Sequence, residues 1–191
     1  MFILYALLVG FLIGLLVGGR PGGLLRLQFR WPWLIIGGLL VQVVLFTDQV
    51  AAVVGSLGAP IYVGSTALVF LGVLRNAAVP GMKIVALGAV SNLAAIVANG
   101  GYMPASRDAM AALGKTDPAI YSNSAVVAHP ALEPLTDIFA LPAWLPFSNI
   151  FSVGDLLIAL GVAVVIVLAM RAGPEPERGQ GSATERSVAV S

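Results

Sequence analysis

Cysteine is absent from the sequence, which removes disulfides, thiolate metal sites and cysteine nucleophiles from consideration. Histidine occurs once, at His129, with Glu133 four residues on. Two such donors fall short of the four ligands of a structural zinc site, so His129 reads as a solvated loop residue, and neither a metal nor a cofactor is expected. Charge is scarce too: Asp, Glu, Lys and Arg make up 10% of the chain, against about 25% in soluble globular domains. A formal net charge of +1 offers no footprint for nucleic acid.

The rest is apolar, 59% of residues with a mean hydropathy of +0.97, and this composition points to an integral membrane protein whose first partner is the lipid bilayer. Five hydrophobic segments stand out, at 1–19, 33–54, 58–75, 81–99 and 152–170. Each is about long enough to cross a hydrocarbon core as a helix, the form that satisfies its own backbone groups there. The expected fold is therefore all-α, a polytopic transmembrane bundle of five spans over residues 1–171. No basic region precedes the first apolar run, and Arg20, Arg26 and Arg30 follow it. That order suits a retained span better than a cleaved signal peptide.

Basic residues collect after span one, at Arg75 and Lys83 between spans three and four, and at Arg171 after span five. The acids Asp48, Asp108, Asp117, Glu133 and Asp137 fall in the opposite connections, against only Arg107 and Lys115. By the positive-inside rule the amino terminus lies outside and the carboxy terminus inside. Residues 172–191, rich in Gly, Pro, Ser, Glu and Arg, read as a disordered cytoplasmic tail.

Gly10, Gly14 and Gly18 form a small-residue stripe on span one, suited to close helix packing within the bundle or against another copy. Trp31 and Trp33 sit where indoles anchor at a membrane interface. Span four carries Asn92 and Asn99 seven residues apart, on one helical face with Gly88 and Ala95. Amides in hydrocarbon need partners, so this face looks inward, as interhelical glue or toward a pocket that Gln42 of span two could join. After the break at Asn99-Gly100-Gly101-Tyr102-Met103-Pro104 comes the one sizeable extramembrane segment, to about Ser148, with a short helix from a Ser106 cap to a stop at Gly114.

Thr136 to Gly161 holds the two acids with the strongest case for chemistry, Asp137 and Asp155. Ser152-Val153-Gly154-Asp155 is a capping-box pattern, which accounts for Asp155 by structure alone. Between the acids lies Leu141-Pro142-Ala143-Trp144-Leu145-Pro146-Phe147, apolar, proline-broken and too short to span. Folded back at the outer interface, it would let the carboxylates meet at the mouth of the bundle. Two close carboxylates share a proton, so that one serves as general acid and the other as general base. Asp137 and Asp155 are then the candidate catalytic residues, with Asn92, Asn99 and Trp144 as candidate substrate contacts.

The run from Asn99 to Pro104 together with Ser152-x-Gly154-Asp155 resembles a family of small bacterial inner-membrane proteins known only as a domain of unknown function, over roughly Arg20 to Arg171. The resemblance implies a bacterial cytoplasmic membrane location and no established activity. The carboxy-terminal half is also similar to lipoprotein signal peptidase, a membrane aspartic protease. Phe151-Ser152-Val153-Gly154-Asp155 looks like its Phe-Asn-x-Ala-Asp motif, Asp137-Ile138-Phe139 like its other catalytic aspartate, and Gly88-Ala89-Val90-Ser91-Asn92 like its Gly-Ala-x-Gly-Asn run. Here Asn92 continues as Leu93-Ala94-Ala95-Ile96 where the peptidase has an acid and an arginine, and Ser152 stands where it has asparagine. That resemblance implies a common helical architecture and, with both aspartates kept, a dyad hydrolase. Two functions follow: an accessory or scaffold protein that shows its outer loop and glycine-striped helix to a membrane protein or peptide partner, or an aspartate-dyad hydrolase. A transporter or channel ranks below both, since no charge lies at mid-membrane depth and no repeat is evident.

Overall fold

A computed structural model describes residues 2–114, 124–125 and 127–172. The chain is mostly helical: α1 (Phe2–Leu16), α2 (Pro32–Leu45), α3 (Asp48–Val54), α4 (Gly58–Arg75), α5 (Met82–Ala98), α6 (Arg107–Ala112) and α7 (Val153–Arg171). Two-residue strands supplement them, β1 (Met103–Pro104) parallel to β2 (Ser124–Ala125), and β3 (Phe139–Ala140) antiparallel to β4 (Ile150–Phe151). The all-α expectation therefore holds for the bundle, while the connection above it uses short ladders. Asp48–Arg75 and Val153–Arg171 are long and apolar enough to cross a membrane, and α1, α2 and α5 are shorter apolar helices. The disordered tail expected at 172–191 lies, past Ala172, outside the described residues.

One expected span divides. The apolar run at 33–54 gives α2 and then α3, because the chain turns at Phe46–Thr47. Thr47 turns its hydroxyl back to the Val44 carbonyl at 2.8 Å, and Asp48 opens the next helix at its positive end. Residues 48–54 thus lead into α4 instead of completing α2.

The helices pack as a row, α1 on α7, α7 on α5, α5 on α4 and α4 on α2. Glycines set the spacing. A Cβ on Gly88 of α5 would stand 2.4 Å from the Gly154 carbonyl of α7, and one on Gly161 of α7 would stand 2.9 Å from the Gly81 carbonyl. Both pairs lie two turns apart, so α5 and α7 run antiparallel with backbones in direct contact. Gly10 and Gly14 of α1 face Ala163 and Met170 of α7; the stripe is used within the chain there, while a Cβ on Gly18 would meet nothing.

At the basic end the connections are tied down by backbone bonds. Arg20 N–H donates to the Met170 carbonyl at 2.7 Å. The buried Asn76 side chain accepts from Arg30 N–H at 2.7 Å and donates to the Arg30 carbonyl at 2.8 Å. Trp31 and Trp33 are exposed there, with the Arg75 guanidinium 5.2 Å above the Trp31 ring. At the other end α5 closes on Asn99, Gly100 and Gly101. Both glycines have positive φ, 73° and 91°, and Gly101 N–H reaches back to the Ile96 carbonyl at 2.8 Å.

Candidate functional site

The site starts at the first turn of α7. Ser152 Oγ accepts from Asp155 N–H at 3.0 Å, and Ser152 N–H donates to Asp155 Oδ2 at 3.2 Å, completing the capping box. Asn92 on α5 locks it from the side: its Nδ2 donates to Asp155 Oδ1 at 2.8 Å, and its Oδ1 accepts from Ser152 Oγ at 2.8 Å. Every polar atom of this triangle has a partner, and Ser152 is fully buried. Both Asp155 oxygens act as acceptors, and each keeps a second lone pair for another donor. The contact demands a glycine at 154, where a Cβ would fall 1.9 Å from Asn92 Oδ1.

Asp137 comes from a different layer. Its N–H donates to the Pro104 carbonyl at 3.0 Å and its carbonyl accepts from Ser106 N–H at 3.0 Å, so residues 103–106 and 137 run as a parallel bridge. Thr136, 1% exposed, turns its hydroxyl to the Glu133 carbonyl at 2.7 Å. Beyond Asp137 the apolar segment does fold back. The register Phe139↔Phe151 and Ala140↔Ile150, extended by Leu141 N–H to the Asn149 carbonyl at 2.9 Å, makes a hairpin of residues 139–151. Phe151 stacks between Phe139 and Phe2 of α1, at ring separations of 5.4 and 4.3 Å, and Tyr5 donates to the Pro146 carbonyl. This hairpin sets Asp137 above the cap that holds Asp155.

Both acids line one pocket of about 280 Å³. Its walls are Leu39 and Gln42 of α2, Tyr62, Thr66 and Val69 of α4, Ala89, Asn92 and Ile96 of α5, and Ile158 of α7, under a roof of Met103, Asn149 and Ile150. Gln42 is oriented by its bond to Thr66 Oγ1 at 3.2 Å. Asp137 is only 8% exposed. Burial, and after it the charge of Asp155, push its carboxyl from the ordinary 3.8 up to about 7. A carboxyl titrating near neutrality beside a fixed carboxylate can hold and release one proton.

The other residues singled out in the sequence lie elsewhere. Asn99 shares the helical face of Asn92 but does not line this pocket: its Nδ2 donates to the Ala95 and Ala131 carbonyls at 2.8 Å, and its Oδ1 accepts from Ala131 N–H at 2.8 Å, pinning the connection. Trp144 stands at the hairpin tip, 80% exposed, with Phe147 exposed beside it. His129 and Glu133 border a separate surface pocket with Arg107, and no group of three metal-capable side chains occurs among the described residues. The short helix α6 has its Ser106 cap, accepting from Ala109 N–H at 3.4 Å, and its stop at Gly114. Tyr62 was not singled out. Its one sequence signal is a polar face, Tyr62, Ser65 and Thr66, on an otherwise apolar helix.

A family model described as "Family of unknown function (DUF5317)" matches residues 26–167. An uncharacterised protein of Thermotoga maritima is 32% identical over 116 residues, covering 60% of this chain and 67% of the relative. No solved structure matches the chain.

Proposed function

Because this chain belongs to the DUF5317 family, whose function is unknown, its activity has to be inferred from the site, and we propose a membrane hydrolase in which Asp137 and Asp155 work as a one-proton pair. The observation that carries this reading is Asp137 itself, a buried acid sharing a pocket with a second acid that is already fully held. Asp155 takes a proton from water as the water oxygen attacks a carbonyl carbon. Asp137 gives its proton to the leaving amine as the carbon–nitrogen bond breaks. Positioned acid–base groups of this kind contribute about 10² to 10⁴ in rate.

The setting we infer is a bilayer crossed five times, with the amino terminus and the pocket outside. Leu8, Leu12, Leu40, Val43, Leu71, Leu87 and Leu160 are exposed on the helices, a surface that suits lipid and not water. The six basic residues Arg20, Arg26, Arg30, Arg75, Lys83 and Arg171 fall in the connections or the adjoining helix turns at the end away from the pocket, which favours that end as cytoplasmic. Since the chain has no cysteine, Asp108→Cys in intact bacterial cells should react with a membrane-impermeant maleimide added outside. Labelling only after the cells are broken would reverse the orientation.

The sequence by itself puts an accessory or scaffold role first, with the hydrolase as its alternative. The scaffold's glycine stripe is occupied at Gly10 and Gly14 by α7, which weighs toward chemistry. The test is the purified protein in detergent with a mixture of single-span membrane peptides, cleavage being read by mass spectrometry. Since Asp137 must carry the proton, kcat/KM should fall tenfold per pH unit above about 7. Absence of any cleavage between pH 5 and 9, or a rate flat through pH 7, would sink the proposal.

A further inference from the structure

The aspartate pocket has a neighbour one step farther from the basic end. Leu45 and Phe46, Gly58 and Ala59, and Gly101 and Tyr102 surround a second pocket of about 220 Å³, and Tyr62 is a wall of both. Three elements give the two pockets the same order. Along α4, Gly58 and Ala59 line the second, Tyr62 lines both and Thr66 lines the first. On α2, Gln42 faces the first, and Leu45 and Phe46 face the second. After α5, Gly101 and Tyr102 face the second and Met103 the first. The pockets are therefore successive compartments on either side of Tyr62. From Gly58 to Thr66 the helix rises about 12 Å, roughly the length of four extended residues.

The chemistry of the compartments differs. The first holds two carboxylates and three amides; no charged side chain lines the second, whose walls are aliphatic, aromatic and glycine. Phe46 meets the Tyr62 ring edge-on, with centroids 5.0 Å apart and planes at 75°, so the shared wall is braced.

We propose that this second pocket is the specificity subsite of the enzyme, taking an apolar side chain of an extended peptide within about four residues of the bond held between Asp137 and Asp155. The proposal rests on the hydrolase reading and names its substrate class: a peptide with an apolar residue close to the scissile bond. Occupancy by leucine in place of alanine adds three buried carbons, expected to raise affinity roughly sixtyfold.

Gly58 provides the test. Its backbone is right-handed helical, φ −57° and ψ −46°, and a Cβ there would meet nothing within 4 Å. Gly58→Phe should fill the subsite without touching either acid, and Gly58→Leu repeats the test with a smaller plug. The detergent-solubilised full chain is titrated with statine-containing peptides, mimics of the hydrolytic intermediate, bearing either alanine throughout or one leucine at each of the four flanking positions in turn. The wild type should prefer leucine at one position by roughly sixtyfold. In the plugged variants the leucine preference should fall below threefold, with the alanine peptide still binding. Alanine-peptide binding with no leucine preference in the wild type, or a preference surviving both plugs, overturns the subsite alone. Failure of every peptide to bind the wild type overturns the hydrolase reading and the subsite together.

Discussion

Asp137→Asn should abolish peptide cleavage and at the same time make the protein harder to unfold at pH 8. The two effects share one cause. Burial and the nearby Asp155 raise the Asp137 carboxyl from 3.8 to about 7, so the folded state binds that proton more tightly than the unfolded state. Below pH 4 the group is protonated in both states and has no effect on stability. As pH rises from 4 to 7 the unfolded chain gives up its proton first, and stability is lost throughout that window; above 7 the loss is complete. A shift of this size corresponds to roughly 4 kcal/mol. Asparagine keeps the shape, does not titrate and escapes the penalty. Unfolding in detergent at pH 4 and pH 8 should therefore show the variant level with wild type at the lower pH and ahead at the higher. Activity should drop by about 10² to 10⁴. A variant that cleaves within about tenfold of wild type removes Asp137 from the reaction, and one that gains nothing at pH 8 denies the buried charge.

Gly154→Ala is the strongest structural test. One methyl group would sit 1.9 Å from Asn92 Oδ1 and 2.8 Å from the Gly88 carbonyl, so either α7 moves away from α5 or Asn92 lets go of Ser152 and Asp155. Overpacking costs about 1 to 3 kcal/mol, and leaving buried polar groups unpaired costs a similar amount. Against these, alanine gains about 1 kcal/mol of helix propensity. The net expectation is a loss of roughly 1 to 5 kcal/mol, read from thermal unfolding in detergent. Gly64→Ala is the control: nothing lies within 4 Å of a Cβ there, so the same substitution should be neutral or mildly stabilising. Equal effects at the two positions would mean that the α5–α7 contact is looser than its geometry.

Local signals in the sequence were readable because local physics decides them. Ser152 with Asp155, and Ser106 with Gly114, announce helix ends through the side chain at the cap and the glycine at the stop, and both occur as expected. Hydropathy found the apolar helices but averaged across Phe46–Thr47, where a single hydroxyl and the following acid start a new helix. Seven-residue spacing put Asn99 on the face of Asn92 correctly by angle. The helix ends at Ala98, however, so Asn99 sits beyond the pocket and binds Ala131 instead. The partner of Asp137 had no local signature, since its backbone pairs with Pro104 and Ser106, more than thirty positions earlier. Tyr62 gains its place only when α4, α5 and α7 are packed together. The likeness to lipoprotein signal peptidase rests on short motifs around the two aspartates and Asn92, and no solved structure extends it.

The acids are attached to different parts of the molecule, and this has a consequence for how the protein is made. Asp155 belongs to the frame, fixed by its helix cap and by Asn92. Asp137 belongs to the lid of chain above it, held by backbone pairing with Pro104 and Ser106. During biosynthesis Asp137 leaves the ribosome before α7 does, and the cap that receives it forms only once that last helix is in place. Until then each acid is alone, and the one-proton pair does not exist. On the proposed hydrolase reading, the chemistry is latent in the nascent chain and is switched on by completion of the fold.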